Sequence, residues 1–153
     1  MFLNFRIVLR NKFSHTLTLL FLCTYVNQWP SFFTDIFSLI QTESSTFNRH
    51  ISLLFFHLVL EISGEVADQM IKSARTWSEA RHIRDSKVRD AVRDRDAARI
   101  NEAVLTIVAE NAERMKRIRE TGSGATELEE AIEIVDWGVR TFGSYVGKCN
   151  VFL

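Results

Sequence analysis

Apolar residues near the start of the chain recur every three to four positions, the spacing that puts side chains on one face of an α-helix. Phe5, Leu9, Phe13, Leu17, Leu20 and Phe21 form this first stripe. It runs into Val26-Asn27-Gln28-Trp29-Pro30, which holds the chain's one proline. Proline lacks an amide hydrogen and has a fixed φ, so Pro30 is expected in the first turn of a new helix. Phe32, Phe33, Ile36, Phe37 and Ile40 then give a second stripe. Two amphipathic helices joined by a tight turn, with no strand between them, are the unit of an α-solenoid.

A third helix is expected from about Phe47 to Glu65. Ile51, Leu54, Phe55, Leu58 and Ile62 line one side of it, and Leu53, Phe56 and Leu60 carry the apolar surface around the circumference. A helix apolar on most sides is sandwiched between neighbours, as stacking hairpins would arrange it. Gly64 to Arg75 reads as a weakly structured connection, and Thr76-Trp77-Ser78-Glu79 as a capping box. Helical signal then continues to about Glu120, as one long helix or two end to end with a break near Asp94 to Ala98. Its first half is thin (Ile83, Val88, Ala91, Val92). Its second half has a clear face of Ile100, Val104, Ile107, Val108, Ala112, Met115 and Ile118. Thr121 to Gly124 reads as a loop, and Thr126-Glu127-Leu128-Glu129 as a second capping box. The last helix carries Leu128, Ile132, Val135, Val139, Phe142 and Val146. No strand pattern is present. The expected fold is all-α, an α-solenoid of two to three HEAT-like antiparallel helical hairpins.

Charge changes the picture in one place. The formal net charge is zero at pH 7, which argues against a general polyanion binder but allows a local basic stripe. Residues 61–140 are dense in Arg, Asp and Glu. On a continuous helix Arg81, Arg84, Arg95 and Arg99 fall in one sector, and such a stripe can track a phosphodiester backbone. These four are the candidate RNA-binding residues. Asp85, Asp90, Asp94 and Asp96 are interleaved, and Asp85 to Arg89 is a helical ion-pair spacing, so a salt-bridged solvated face is the reading the residues themselves favour. No aromatic platform for unstacked bases accompanies them.

Other chemistry is thin. His57 and Glu61 are one turn apart, but no second pair with ligand spacing supports a metal. His15, His50 and His82 are scattered, with no serine or cysteine nucleophile beside them, so neither a catalytic constellation nor a cofactor is expected. Gly122 and Gly124 lack the preceding strand and the remaining residues of a phosphate-binding loop. Cys23 and Cys149 are two isolated thiols, which suggests a reducing compartment and no disulfide framework. The apolar runs Leu17–Cys23 and Ile51–Ile62 are too short to span a bilayer, so no membrane insertion is expected.

Ordered motifs carry a family resemblance. Leu9-Arg10-Asn11-Lys12, then Leu19-Leu20-Phe21, then Trp29-Pro30-Ser31-Phe32-Phe33-Thr34-Asp35 resemble the start of the exportin 1-like region of the exportin branch of the importin-β superfamily. Leu60 to Val66, Ser78-Glu79-Ala80-Arg81 and Gly143-Ser144-Tyr145-Val146-Gly147 resemble the exportin-T version of that region. The resemblance covers roughly residues 8–147 and gives a domain of 1–147, followed by an atypical tail, 148–153, where the family pattern would continue into Trp-Ile-Asp. It implies a fragment of a HEAT-repeat nuclear export receptor. Such a receptor binds tRNA together with Ran-GTP, meets nuclear pore proteins and shuttles between nucleus and cytoplasm. The alternative is a protein-binding scaffold, or another receptor of the superfamily without RNA cargo.

Overall fold

The computed structural model describes residues 2–41, 45–67, 79–122 and 124–148, and among these every regular element is helical. Helices α1 (Phe2–Thr24), α2 (Phe32–Ile40), α3 (Ser45–Ala67), α4 (Glu79–Ala91), α5 (Ala97–Thr121) and α6 (Ala125–Lys148) follow in order. One π-helical turn, Val92–Asp96, joins α4 to α5, so the two form a continuous rod.

Cross-helix contacts give the topology. Arg49 on α3 reaches Glu130 and Glu133 on α6, and His57 meets Trp137, so α3 and α6 run parallel. His15 on α1 reaches Glu61 on α3, and Ile7, Arg10 and Phe13 border one cavity with His50, Ile51, Leu53 and Leu54, so α1 is parallel to both. Arg114 meets Glu130 and Val108 lies against Gly138, which makes α5 antiparallel to α6. Phe37 meets Phe55 edge-on, while Ile40 lies near Ser52, so α2 is antiparallel to α3. The chain therefore zigzags between two layers, with α1, α3 and α6 in one and α2 and α4–α5 in the other. This is the all-α arrangement of HEAT-like hairpins, with α2–α3 and α4/α5–α6 as two complete ones.

The core confirms the sandwiched third helix. Leu53, Phe55, Phe56, Leu58, Val59 and Ile62 are all buried. Rings dominate its α1–α2 end: Phe21 stacks on Tyr25 at 4.4 Å, tilts against Phe32 at 4.7 Å and meets Phe33 edge-on at 5.4 Å. On α5, Ala97, Ile100, Val104 and Ile107 face inward.

Two predicted stripes are placed differently. On α1, Leu9, Phe13 and Leu20 face outward, 53%, 58% and 46% exposed, while Ser14, Thr18, Phe21, Leu22 and Tyr25 form the buried line. On α6 the buried line is Ala131, Ile134, Gly138 and Thr141, and Ile132 and Val139 point away. The physical reason is close approach: small side chains let helices come nearer than a row of large ones does. A Cβ on Gly138 would lie 2.3 Å from Val108 Cγ2 and 3.1 Å from Phe56 Cζ, so glycine is what lets α6 sit against both α5 and α3. Both outer helices of the layer are thus apolar on two sides, one packed and one bare. The side chains of Phe5 and Val146 lie outside the described residues.

Boundaries differ in smaller ways. Pro30 does not begin α2. Trp29 to Ser31 form a turn in which the Phe32 amide donates to the Trp29 carbonyl at 3.2 Å, and Pro30 occupies its second position. Asp35, in the first turn of α2, accepts from Trp29 Nε1 at 2.6 Å and from Ser31 Oγ at 3.1 Å, tying the turn to the helix. Trp29 is half-buried. Helix α3 continues through Gly64 to Ala67, so the expected connection begins later. Residues 68–75, Thr76-Trp77-Ser78 and the tail 149–153 lie outside the described residues. Gly122 ends α5 with φ +68° and donates its amide to the Ile118 carbonyl, the left-handed cap that glycine adopts without strain.

The break near Asp94 is the π turn. It adds one residue to the turn, so the Ala97 amide reaches back five positions, to the Val92 carbonyl. Tyr25 is held beside it: its hydroxyl donates to Asp96 Oδ2 and lies 3.5 Å from the Ala91 carbonyl. Burial, reinforced by that carboxylate, pushes the Tyr25 phenol well above its ordinary range.

Candidate nucleic-acid interface

Helix α4 presents Arg81 and Arg84, the π turn Arg95, and the start of α5 Arg99. Each is engaged within the chain. Arg81 reaches Glu65 on α3 at 2.8 Å and Asp85 at 3.7 Å. Arg84 also meets Asp85, at 2.9 Å, and lies 3.9 Å from Cys23 Sγ. Asp85 is fully buried, and the two guanidiniums offset the cost of burying its charge. Arg95 lies over the Tyr25 ring at 4.7 Å. Arg99 meets Asp96 at 3.4 Å, donates to Thr34 Oγ1 at 3.0 Å and lies over Phe37 at 5.1 Å.

Arg84 thus lies beside Cys23 on α1, Arg95 over Tyr25 just beyond α1, and Arg99 against Thr34 and Phe37 on α2, while Arg81 is held against Glu65 on α3. The remaining arginines of the stretch follow suit, with Arg89 and Arg93 both near Asp90. Asp85, expected to pair with Arg89, pairs instead with Arg81 and Arg84. Side chains of Arg81, Arg84 and Arg99 keep 36%, 35% and 47% exposure. Their field is therefore reduced but not extinguished.

A second basic region was not picked out from sequence. Arg114-Met115-Lys116-Arg117-Ile118-Arg119 places four cations near the end of α5. Arg114 meets Glu130 at 3.7 Å. Lys116, Arg117 and Arg119 have no carboxylate within 4.0 Å among the described residues. The signal available was the density of cations without interleaved acids, a shorter run than the arginine-rich stretch before it. Arg114 and Arg117 border a cavity of about 340 Å³ that also takes in Arg49 from α3.

His57 and Glu61 do not converge. Glu61 faces His15 Nδ1 at 3.5 Å, while His57 packs on Trp137 with ring centroids 4.7 Å apart. Burial, with Arg10 nearby, lowers the His57 pKa below its ordinary value. The unfolded chain then binds a proton that the folded chain resists, so stability is full above the unfolded pKa of about 6.5 and is lost as pH falls through it. The urea midpoint is expected to drop between about pH 7 and pH 5.5, and His57→Gln is expected to flatten that drop. An unchanged pH slope in the variant would place the titration elsewhere. No group of three or more metal-ligating side chains occurs among the described residues, and Cys23 is an exposed free thiol. No helix, among the described residues, is long and apolar enough to cross a membrane.

Comparison with known proteins follows the same lines. The family described as exportin 1-like protein matches residues 7–147. An exportin-T of Coprinopsis cinerea is 72% identical over 149 residues, covering 95% of this chain and 14% of the relative. An exportin-T of Laccaria bicolor is 72% identical over 152 residues, with the same coverage. One from Saccharomyces cerevisiae is 35% identical over 107 residues, 61% of this chain and 9% of the relative. The chain thus spans about one seventh of the length of the two most similar of these relatives. No solved structure matches it. A two-layered zigzag of helices and a match along nearly its whole length together establish that the chain belongs to the exportin 1-like family.

Proposed function

We propose that the chain is part of a nuclear export receptor that carries tRNA through the nuclear pore together with Ran-GTP. The observation that carries this reading is the 72% identity to two exportin-T proteins over 95% of the chain. Stacked hairpins support it, since solenoids present long surfaces suited to large partners. In this reading the chain acts by binding, has no catalytic residues, and moves between nucleus and cytoplasm with contacts to nuclear pore proteins. A second reading is a scaffold or receptor of the same superfamily without RNA cargo. What favours it is the internal pairing of the arginine-rich stretch.

Pull-down with tRNA and with Ran-GTP, separately and together, separates the two. Retention of tRNA that rises when Ran-GTP is present is the expected result. Retention of Ran-GTP with no tRNA under any condition would favour the second reading.

Arg81, Arg84, Arg95 and Arg99 are proposed as outlying phosphate contacts, because tRNA is recognised by shape and backbone. Their neutralisation sets the size of the effect. A quadruple Arg→Gln variant is expected to lose tRNA affinity only partly, alike for all tRNAs, with the log–log salt slope flattened by about one unit. An unchanged affinity and slope would assign these arginines to folding alone.

A further inference from the structure

We infer that the cavity between α3 and the end of α5 is a phosphate seat for the backbone of a folded RNA, an inference that rests on the RNA reading above. Its wall brings Arg49, Arg114 and Arg117 together with Ser52 and Asn111, and a single carboxylate, Glu110, shares the lining. The three arginines come from two helices that the fold sets antiparallel. Glu130 and Glu133, which pair with Arg49 and Arg114, are not part of the lining.

The pairing is uneven in a way that favours an added anion. Arg49 is held at 2.5 Å by Glu133, but the shared carboxylate of Glu130 is 3.4 Å from Arg49 and 3.7 Å from Arg114. Arg117 is exposed and has no carboxylate within 4.0 Å among the described residues. Arg114 thus meets its carboxylate only at 3.7 Å and Arg117 meets none among the described residues, whereas Arg81, Arg84 and Arg99 each have one at 2.8 Å, 2.9 Å and 3.4 Å. The ends of helices attract cations, but that attraction fades beyond the last turn. Arg119 lies in that turn, whereas Arg114 and Arg117 lie before it. Lys116 and Arg119 extend the positive field onto the neighbouring surface. Guanidinium forks from two directions match phosphate oxygens in geometry as well as charge. A duplex-like RNA fold offers phosphates at its surface without requiring exposed bases.

The test is the salt dependence of tRNA binding, with Ran-GTP present, by a full-length exportin-T in which this chain replaces the matching segment. Arg117→Gln has no ion pair to break, so it reports on binding without disturbing the fold. It is expected to flatten the log–log salt slope by somewhat under one unit. Arg114→Gln with Arg117→Gln is expected to flatten it by about 1.5 units, while the corresponding Lys/Lys variant keeps most of the slope. Thermal midpoints measured alongside separate a folding loss from a binding loss. Wild-type binding whose slope survives both substitutions overturns the seat and leaves the RNA reading standing. Absence of tRNA binding by the unsubstituted chimera overturns both. Loss of Ran-GTP retention with tRNA affinity intact assigns the cavity to a protein partner and overturns the RNA seat.

Discussion

Truncating Phe21 to alanine is expected to cost about 3–5 kcal/mol of folding stability. The ring is fully buried and touches the rings of Tyr25, Phe32 and Phe33 at once. Removing it opens a cavity where α1 turns into α2, and the surrounding aromatic side chains are too rigid to collapse into it. The loss also reaches the π turn, because Phe21 stacks on the tyrosine whose hydroxyl holds Asp96. Trp29 provides the contrast. It sits edge-on to Phe32 at 5.0 Å and bonds Asp35, yet it is only half-buried, so Trp29→Ala is expected to cost about 2 kcal/mol. Pro30→Ala is expected to change stability by less than about 1 kcal/mol, since proline there mainly restricts the unfolded chain. Urea denaturation of the three variants checks the order. A Phe21→Ala loss no larger than that of Pro30→Ala would show that the ring cluster does not organise this corner.

The second large effect is on association. Leu9, Phe13 and Leu20 form a bare apolar face on α1, and Ile132 and Val139 leave apolar surface on α6 at the other side of the layer. Solenoid units bury such faces against neighbouring units and expose them when none is present. The chain on its own is expected to self-associate or aggregate at high concentration. Phe13→Glu with Leu20→Gln is expected to shift it towards monomer without unfolding it, because neither side chain contributes to the core. Sedimentation velocity across a concentration series measures this. A wild-type chain that stays monomeric at high concentration, with a cooperative high-temperature transition, would contradict the expectation.

These two faces also show why the fold was legible and its facing was not. Periodicity located α1, α2, α3, the α4–α5 rod and α6, because each has an apolar stripe long enough to stand out. Ser14 and Thr18 on α1, and Ala131, Gly138 and Thr141 on α6, do not look like a core in a hydrophobic pattern. They are buried because two helices come close there, a fact of tertiary packing. The π turn was visible only as a weak break, since the extra residue shows in the sequence as a single five-residue step, from Val92 to Ala97. At the candidate interface the arginines were visible, but their partners were not. Glu65, Tyr25, Thr34 and Phe37 lie far from them in sequence. Arg49 was silent for the same reason: only the parallel packing of α3 on α6 and the antiparallel approach of α5 bring it to Arg114 and Arg117.

The central claim, that this chain serves as part of a tRNA export receptor, is tested most directly in a full-length setting. The chain can replace the matching segment of the Laccaria bicolor exportin-T, to which it is 72% identical. The tRNA affinity of that chimera is then measured by fluorescence anisotropy with and without Ran-GTP. A chimera that binds tRNA as tightly as its parent, with the same strengthening by Ran-GTP, is the predicted result. A soluble, folded chimera that has lost either the tRNA affinity or its dependence on Ran-GTP would contradict it.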